Sequence, residues 1–230
     1  MTTRQTADYF PMPERPTPPD SVADLLERLG GVPAWRVRMV PPPGMATEAD
    51  VVEIEARTDV ICELVDHTLV VRPPNCRNSF LMMHVICRVM GYLDENDLGI
   101  AVGATAPIRI PNGNVRSASL LYIPWDNMPG RRIPSEPITS VPPALAIDML
   151  TADNTAAEMA RKRADYFATG VKLVWQIDPD ARTAQAFAGP DVAVVLDDAG
   201  TLDGGTVLPG FALSLADLFA KLDIKAPSAS

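Results

Sequence analysis

The chain has 230 residues, 47% of them hydrophobic, with a formal net charge of -9. That length suits one sizeable core with an extension rather than two full domains, and the acidic balance disfavours a free-standing nucleic-acid binder, which ordinarily turns a basic face to phosphate. Three cysteines without C-x-x-C spacing and two histidines, His67 and His84, make a poor zinc set and read as reduced thiols that act as small hydrophobes. The longest apolar stretch, residues 80–93, is interrupted by His84 and Arg88, short of the roughly 20 uninterrupted residues of a membrane span. The first residues are polar and then proline-rich, unlike a secretory signal, so a cytoplasmic protein is expected.

Residues 1–20 carry five prolines between Pro11 and Pro19 and read as an extended arm. Asp20-Ser21 can cap a short helix through Leu29 that Gly30-Gly31 ends, and Pro41-Pro42-Pro43-Gly44 breaks the chain before a second helical pattern over 47–57. Residues 1–58 are therefore expected as a proline-rich arm and short helical extension, 59–223 as the main domain, and 224–230 as a disordered tail.

From residue 60 the pattern shifts to short β-type runs, 61–65 and 68–71, joined at Asp66-His67, where a tight primed turn needs positive φ. Residues 78–94 predict a helix with apolar side chains around most of its circumference (Phe80, Leu81, Met83, Ile86, Cys87, Met90, Leu93), hence well buried, with His84 a packed core residue rather than a catalyst. Strands are predicted over 100–105, 107–110, 115–123 and 144–150, the third preceded by the turn Asn112-Gly113-Asn114. A helix over 155–169 opens on the capping box Thr155-x-x-Glu158 and closes at Gly170; a compact strand, 171–177, follows, then a turn at Asp178-Pro179-Asp180 and a returning strand, 183–187. Strand, helix, strand in this order predicts a parallel crossover within a mixed sheet. A last helix, 214–222, follows Leu208-Pro209-Gly210-Phe211.

Several of these stretches act together as a signature. They are Cys62-Glu63-Leu64-Val65-Asp66, Val115-Arg116, Ala146-Ile147-Asp148-Met149-Leu150, Lys162 with Tyr166, Gly170-Val171, Val174-Trp175-Gln176-Ile177-Asp178-Pro179, Thr201-Leu202-Asp203-Gly204 and Val207-Leu208-Pro209-Gly210-Phe211. Over residues 60–221 their order and spacing resemble the Uma-two family of restriction-endonuclease-like proteins, members of the PD-(D/E)XK nuclease superfamily. The resemblance implies an α/β, restriction-endonuclease-like mixed β-sheet flanked by helices, here with an N-terminal extension. It also implies a hydrolase of phosphodiester bonds, an endonuclease with DNA as partner and Mg²⁺ as cofactor. In such enzymes two carboxylates on neighbouring strands hold a metal that polarises phosphate and activates water, and a lysine stabilises the attacking water and the developing charge.

Carried onto this chain, the resemblance makes Asp148 the second carboxylate, Lys162 the lysine supplied by the following helix, and Glu63 a further acidic position. Where relatives read Val-Arg-x-Pro-Asp-Val, this chain reads Val115-Arg116-Ser117-Ala118-Ser119-Leu120, so Ser119 stands at the metal-binding aspartate. A hydroxyl brings one weak oxygen ligand and no charge, which predicts impaired metal binding and weak or absent activity, a pseudoenzyme. The residues themselves leave alternatives open. Asp148 lies in an apolar strand, where an unpaired carboxylate is costly. Lys162 falls opposite the stripe Ala156, Ala160, Ala164 and Phe167 and four residues after Glu158, which fits a solvated ion pair as well as the border of a cleft. Glu63 fits a ligand or an edge-strand surface charge, and Arg116 fits a phosphate contact or a snorkelling surface residue. Arg131-Arg132 is a basic loop pair, either solvated or touching a DNA backbone. An active nuclease with Glu63 as a relocated carboxylate is one alternative function; a non-catalytic protein-binding or oligomerisation module, possible as a homo-oligomer through an edge strand or the arm, is another.

Overall fold

The computed structural model describes residues 17–223; the proline-rich arm before residue 17 and the tail from residue 224 lie outside the described residues. The described chain starts with α1 (Val22–Arg28), capped by the Ser21 side chain accepting from the Asp24 amide, and continues to α2 (Glu48–Arg57), opened by a Thr47/Asp50 capping box. Both helices pack on the hairpin of β1 (Cys62–Val65) and β2 (Thr68–Val71). Leu25, Leu29, Val32 and Val37 cover Val65 and Val70, while Val51 meets a cluster with Cys62, Leu64 and Leu69. The hairpin turn takes the strained conformation its sequence demands, with φ of 47° at Asp66 and 56° at His67.

The next helix, α3 (Cys76–Asn96), starts at an Asn75 cap and ends at Asp97 in a left-handed conformation. Its burial corrects the expectation of all-round packing. It buries one stripe, Asn78, Leu81, Met82, Val85, Val89 and Leu93, and leaves Phe80, Met83 and Met90 40%, 55% and 40% exposed. His84 is half-buried and meets Phe80 edge-on.

Four strands follow: β3 (Gly99–Gly103), β4 (Ile108–Arg109), β5 (Val115–Arg116) and β6 (Leu120–Pro124). The run 115–123 is thus two strands, because Ser117-Ala118-Ser119 carries the chain from one sheet to another. β5 pairs with β1 (Leu64 opposite Val115) and β4, completing a four-stranded sheet of order β2-β1-β5-β4. β6 pairs antiparallel with β3 and with β7 (Leu145–Met149). Next come α4 (Ala156–Ala168) and β8 (Leu173–Asp178), which lies parallel to β7 with Asp148 opposite Gln176, so the predicted crossover is present. β9 (Thr183–Gly189) and β10 (Val192–Leu196) extend this sheet to the order β10-β9-β8-β7-β6-β3. A two-stranded ribbon, β11 (Thr201–Asp203) and β12 (Ala212–Ser214), precedes α5 (Leu215–Phe219).

Alternation along the central strands gives the six-stranded sheet two dry faces. Leu120, Ile147, Trp175 and Ile177 join Leu81, Val85 and Val89 of α3 and Leu218 and Phe219 of α5 in one cluster. Leu121, Ala146 and Val174 join Tyr166 of α4 in another. The segment after α1 is tied to the N-terminus of α4, where the Thr155 hydroxyl donates to the Gly30 carbonyl. Gly30 has φ +84°, and a Cβ there would lie 2.7 Å from the Glu158 amide nitrogen. Gly30→Ala is therefore expected to lower stability by about 1–3 kcal/mol, read as a lower thermal midpoint by circular dichroism.

Candidate active site

The polar residues singled out by sequence come together where the two larger sheets meet under α4. Glu63 projects from β1, which is flanked by β2 and β5, and is 3% exposed, so it is not an edge-strand surface charge. Asp148, from β7, is 1% exposed, and Lys162, from α4, is 4% exposed. The Lys162 Nζ lies 2.8 Å from Glu63 Oε1 and 3.0 Å from Asp148 Oδ1, and donates to the Ser117 carbonyl at 2.9 Å. One ammonium thus makes three charge-assisted contacts, the full number its protons allow.

This overturns the solvated Glu158/Lys162 pair. The buried face of α4 is Glu158, Met159, Lys162, Asp165 and Tyr166, whereas Ala156 and Ala164 are exposed. The helix is amphipathic with its charged side inward, because each buried charge meets an opposite one from another element. Glu158 takes a two-pronged contact from Arg36, at 2.6 and 2.9 Å, and Arg36 also donates to the Val71 and Asp153 carbonyls. Asp165 accepts from Arg116 Nε at 2.7 Å and from the side-chain amides of Asn112 and Asn114. Arg116 is buried, not a snorkelling surface residue, and its Nη1 donates to Glu63 Oε2 at 2.9 Å. Tyr166 donates to Asp148 Oδ2 at 3.1 Å. By contrast, Arg131 and Arg132 are exposed, Arg131 being held by Asp97 and Trp125.

Burial alone pushes the Glu63 carboxyl up, but Lys162, Arg116 and Arg72 outweigh it and hold the group down at about 2. Burial and the neighbouring Asp148 and Glu63 carboxylates raise the Tyr166 hydroxyl well above its ordinary value, keeping it a proton donor. Ser119 Oγ accepts from the Met149 amide at 3.1 Å and from Arg72 Nη2 at 3.2 Å, which fills both hydroxyl lone pairs. The same Arg72 nitrogen lies 3.9 Å from Asp148 Oδ1.

A divalent ion needs free oxygen donors close enough to share it. Here Lys162 takes an oxygen of both Glu63 and Asp148, Arg116 and Tyr166 take the others, and Arg72 takes Ser119. Four carboxylates (Glu63, Asp148, Glu158, Asp165) face four cations (Arg36, Arg72, Arg116, Lys162), so the network is neutral without a further ion. As arranged, the donor set does not fit a divalent metal. Among the described residues no group of three or more His, Cys, Asp or Glu is placed to hold one. The cavity at the network, of about 30 Å³, is bordered by Arg36, Glu63, Arg72, Asp148, Glu158 and Lys162, room for about one water. It adjoins a groove of about 350 Å³ bordered by Arg72, Ser119, Asn78, Met82, Met83 and Ile86.

Arg36, Arg72 and Asp165 belong to the network but carry no motif. Asp165 is legible once the buried face of α4 is known, since it lies three residues after Lys162 and seven after Glu158. Nothing in the local sequence of Arg36 or Arg72 marks them.

A mixed sheet with one parallel crossover and flanking helices, and a polar cluster at the junction of its strands, define the restriction-endonuclease-like class. A crystal structure described as a putative nuclease belonging to DUF820 from Anabaena variabilis ATCC 29413 matches with a TM-score of 0.64 at 17% identity, covering 72% of this chain and 93% of that one. The family model Uma2, described as "Putative restriction endonuclease", matches residues 49–216, and the chain belongs to that family. No curated protein matches.

The depressed Glu63 carboxyl sets a pH window. A group whose folded value lies below its ordinary 4.5 adds stability that is complete above that pH and is lost as pH falls towards about 2. Glu63→Gln is expected to lower stability at neutral pH by about 3–5 kcal/mol, since Lys162 and Arg116 lose a buried charged partner. Urea midpoints measured across pH should show a flatter acid limb in this variant.

Proposed function

We propose that this protein has a nuclease fold whose metal-dependent phosphodiester cleavage is lost or nearly lost. Its family, of restriction-endonuclease type, generally works through a divalent metal, with DNA as the possible substrate. The observation that carries the reading is the occupation of the donor atoms. Ser119 stands where the family places an aspartate, and its hydroxyl is committed to Met149 and Arg72, while Lys162 bridges Glu63 and Asp148. A metal entering here would have to displace a buried ammonium and leave it without a partner, a loss of several kcal/mol. Asp148 and Glu63 then act as structural counter-ions, and Lys162 as the cation that joins them.

The acidic net charge of -9 adds to this reading, because DNA approaching the groove meets a protein that repels phosphate overall. What the site leaves uncommitted is small: a buried Arg72 Nη1 without a hydrogen-bond partner, on a side chain that is 19% exposed, and a cavity the size of a water.

Calorimetric titration of the unmodified protein with Mg²⁺ or Mn²⁺ is expected to show no binding, and plasmid DNA to survive incubation with either metal. Ser119→Asp alone is expected to be captured by Arg72 as an ion pair; Ser119→Asp with Arg72→Gln is expected to gain metal binding. Metal-dependent cleavage by the unmodified protein that Asp148→Ala abolishes would overturn the proposal.

A further inference from the structure

The exposed face of α3 carries a pattern that neither the fold nor the site uses. Cys76, Phe80, Met83, Cys87 and Met90 are all exposed, and they are spaced four, three, four and three residues apart. This is the a/d repeat of a helix that packs against another helix, and it runs along the side opposite the stripe that faces the sheet. A single exposed leucine or methionine is ordinary; five aligned apolar or thiol side chains on a 21-residue helix form a seam.

The charges at the two ends identify what fits it. The first turn of α3 has no acidic residue and carries Arg77, and the last turn has no basic residue and carries Asp94 and Glu95. Both ends oppose the helix dipole, which favours negative charge at the N-terminus and positive charge at the C-terminus. An antiparallel second copy of α3 resolves the conflict, since it brings the basic end of each helix to the acidic end of the other. With Met83 placed against Cys87 of the second copy, Phe80 falls against Met90 of that copy, and Arg77 falls beside its Gly91. Gly91 is exposed, and a Cβ added there would meet nothing within 4 Å, which leaves room for the Arg77 stem to reach Asp94 and Glu95. Arg77 already holds Asp180 at 2.6 Å through Nη1 and the Pro179 carbonyl at 3.4 Å through Nη2, yet its side chain remains 49% exposed, and the second proton of each Nη is left to turn outward.

We infer that this protein forms a two-fold dimer through an antiparallel pairing of α3 along the seam Phe80, Met83, Cys87 and Met90. The seam borders the groove beside Arg72 and Ser119 through Met83, so the second copy supplies part of that groove's outer wall. This holds whether or not the site cleaves DNA.

Sedimentation or light scattering of the full chain at micromolar concentration is expected to give a dimer. Met83→Glu is expected to weaken dimerisation on the order of 100-fold by placing a carboxylate in the seam, with the helical circular dichroism spectrum retained because the side chain is exposed. Met83→Cys is expected to form a disulfide-linked dimer under mild oxidation, and Cys87→Ser added to it is expected to abolish that link. A monomeric unmodified protein, or a dimer that Met83→Glu leaves intact, would overturn the interface. A dimer that Met83→Glu disrupts but Met83→Cys does not link through Cys87 would overturn the antiparallel register.

Discussion

The Lys162 ammonium is the contact on which the arrangement of the molecule turns. Glu63 belongs to the four-stranded sheet and Asp148 to the six-stranded one, and Lys162 reaches both from α4. Two carboxylates brought this close in a dry junction would repel each other, and the cation converts that repulsion into a clamp. Arg116 extends the clamp from Glu63 to Asp165, and Tyr166 completes it at Asp148. The junction between sheets is therefore ionic, flanked by apolar clusters on either side.

Such a network is specific rather than strongly stabilising. Desolvating eight charged groups offsets most of what their pairing returns, while removal of any one leaves a buried charge uncompensated. That asymmetry explains how the site can be rigid without adding much to net stability. It also separates this arrangement from a metal centre, in which like charges are held apart until an ion joins them. Here the joining ions are side chains, fixed by covalent bonds to the chain and present at unit occupancy.

Much of the fold is legible in the sequence, and its exceptions share a cause. The hairpin turn at Asp66-His67, the Thr155 capping box and the crossover from β7 to β8 follow from local chemistry and periodicity. The polarity of α4 does not. Its alanines carry too little apolar area to decide which side faces inward, and the inward side is set by Glu63, Arg116, Asp148 and Arg36, all distant in sequence. Likewise the break at Ser117-Ala118-Ser119 is invisible in a run of β-type residues, because it depends on which sheet each half joins. The candidate site residues Glu63, Asp148 and Lys162 are legible through the resemblance to the family, whereas Arg72 and Arg36 become meaningful only through contacts across the fold. On α3, apolar residues spread around most of the circumference predict burial on all sides; the exposed half of that helix emerges only when the sheet is in place.

The link between Arg36 and Glu158 bears on the order in which the molecule comes together. These residues are 122 positions apart, and a contact that closes so large a loop is entropically late, since the chain between must already be compact for the ends to meet. α4 can form early around its own cap, and β7 and β8 can pair across it. Arg36 is then expected to find Glu158 late, so the segment between α1 and α2 would act as a latch, fastened over a helix whose inner face is already committed.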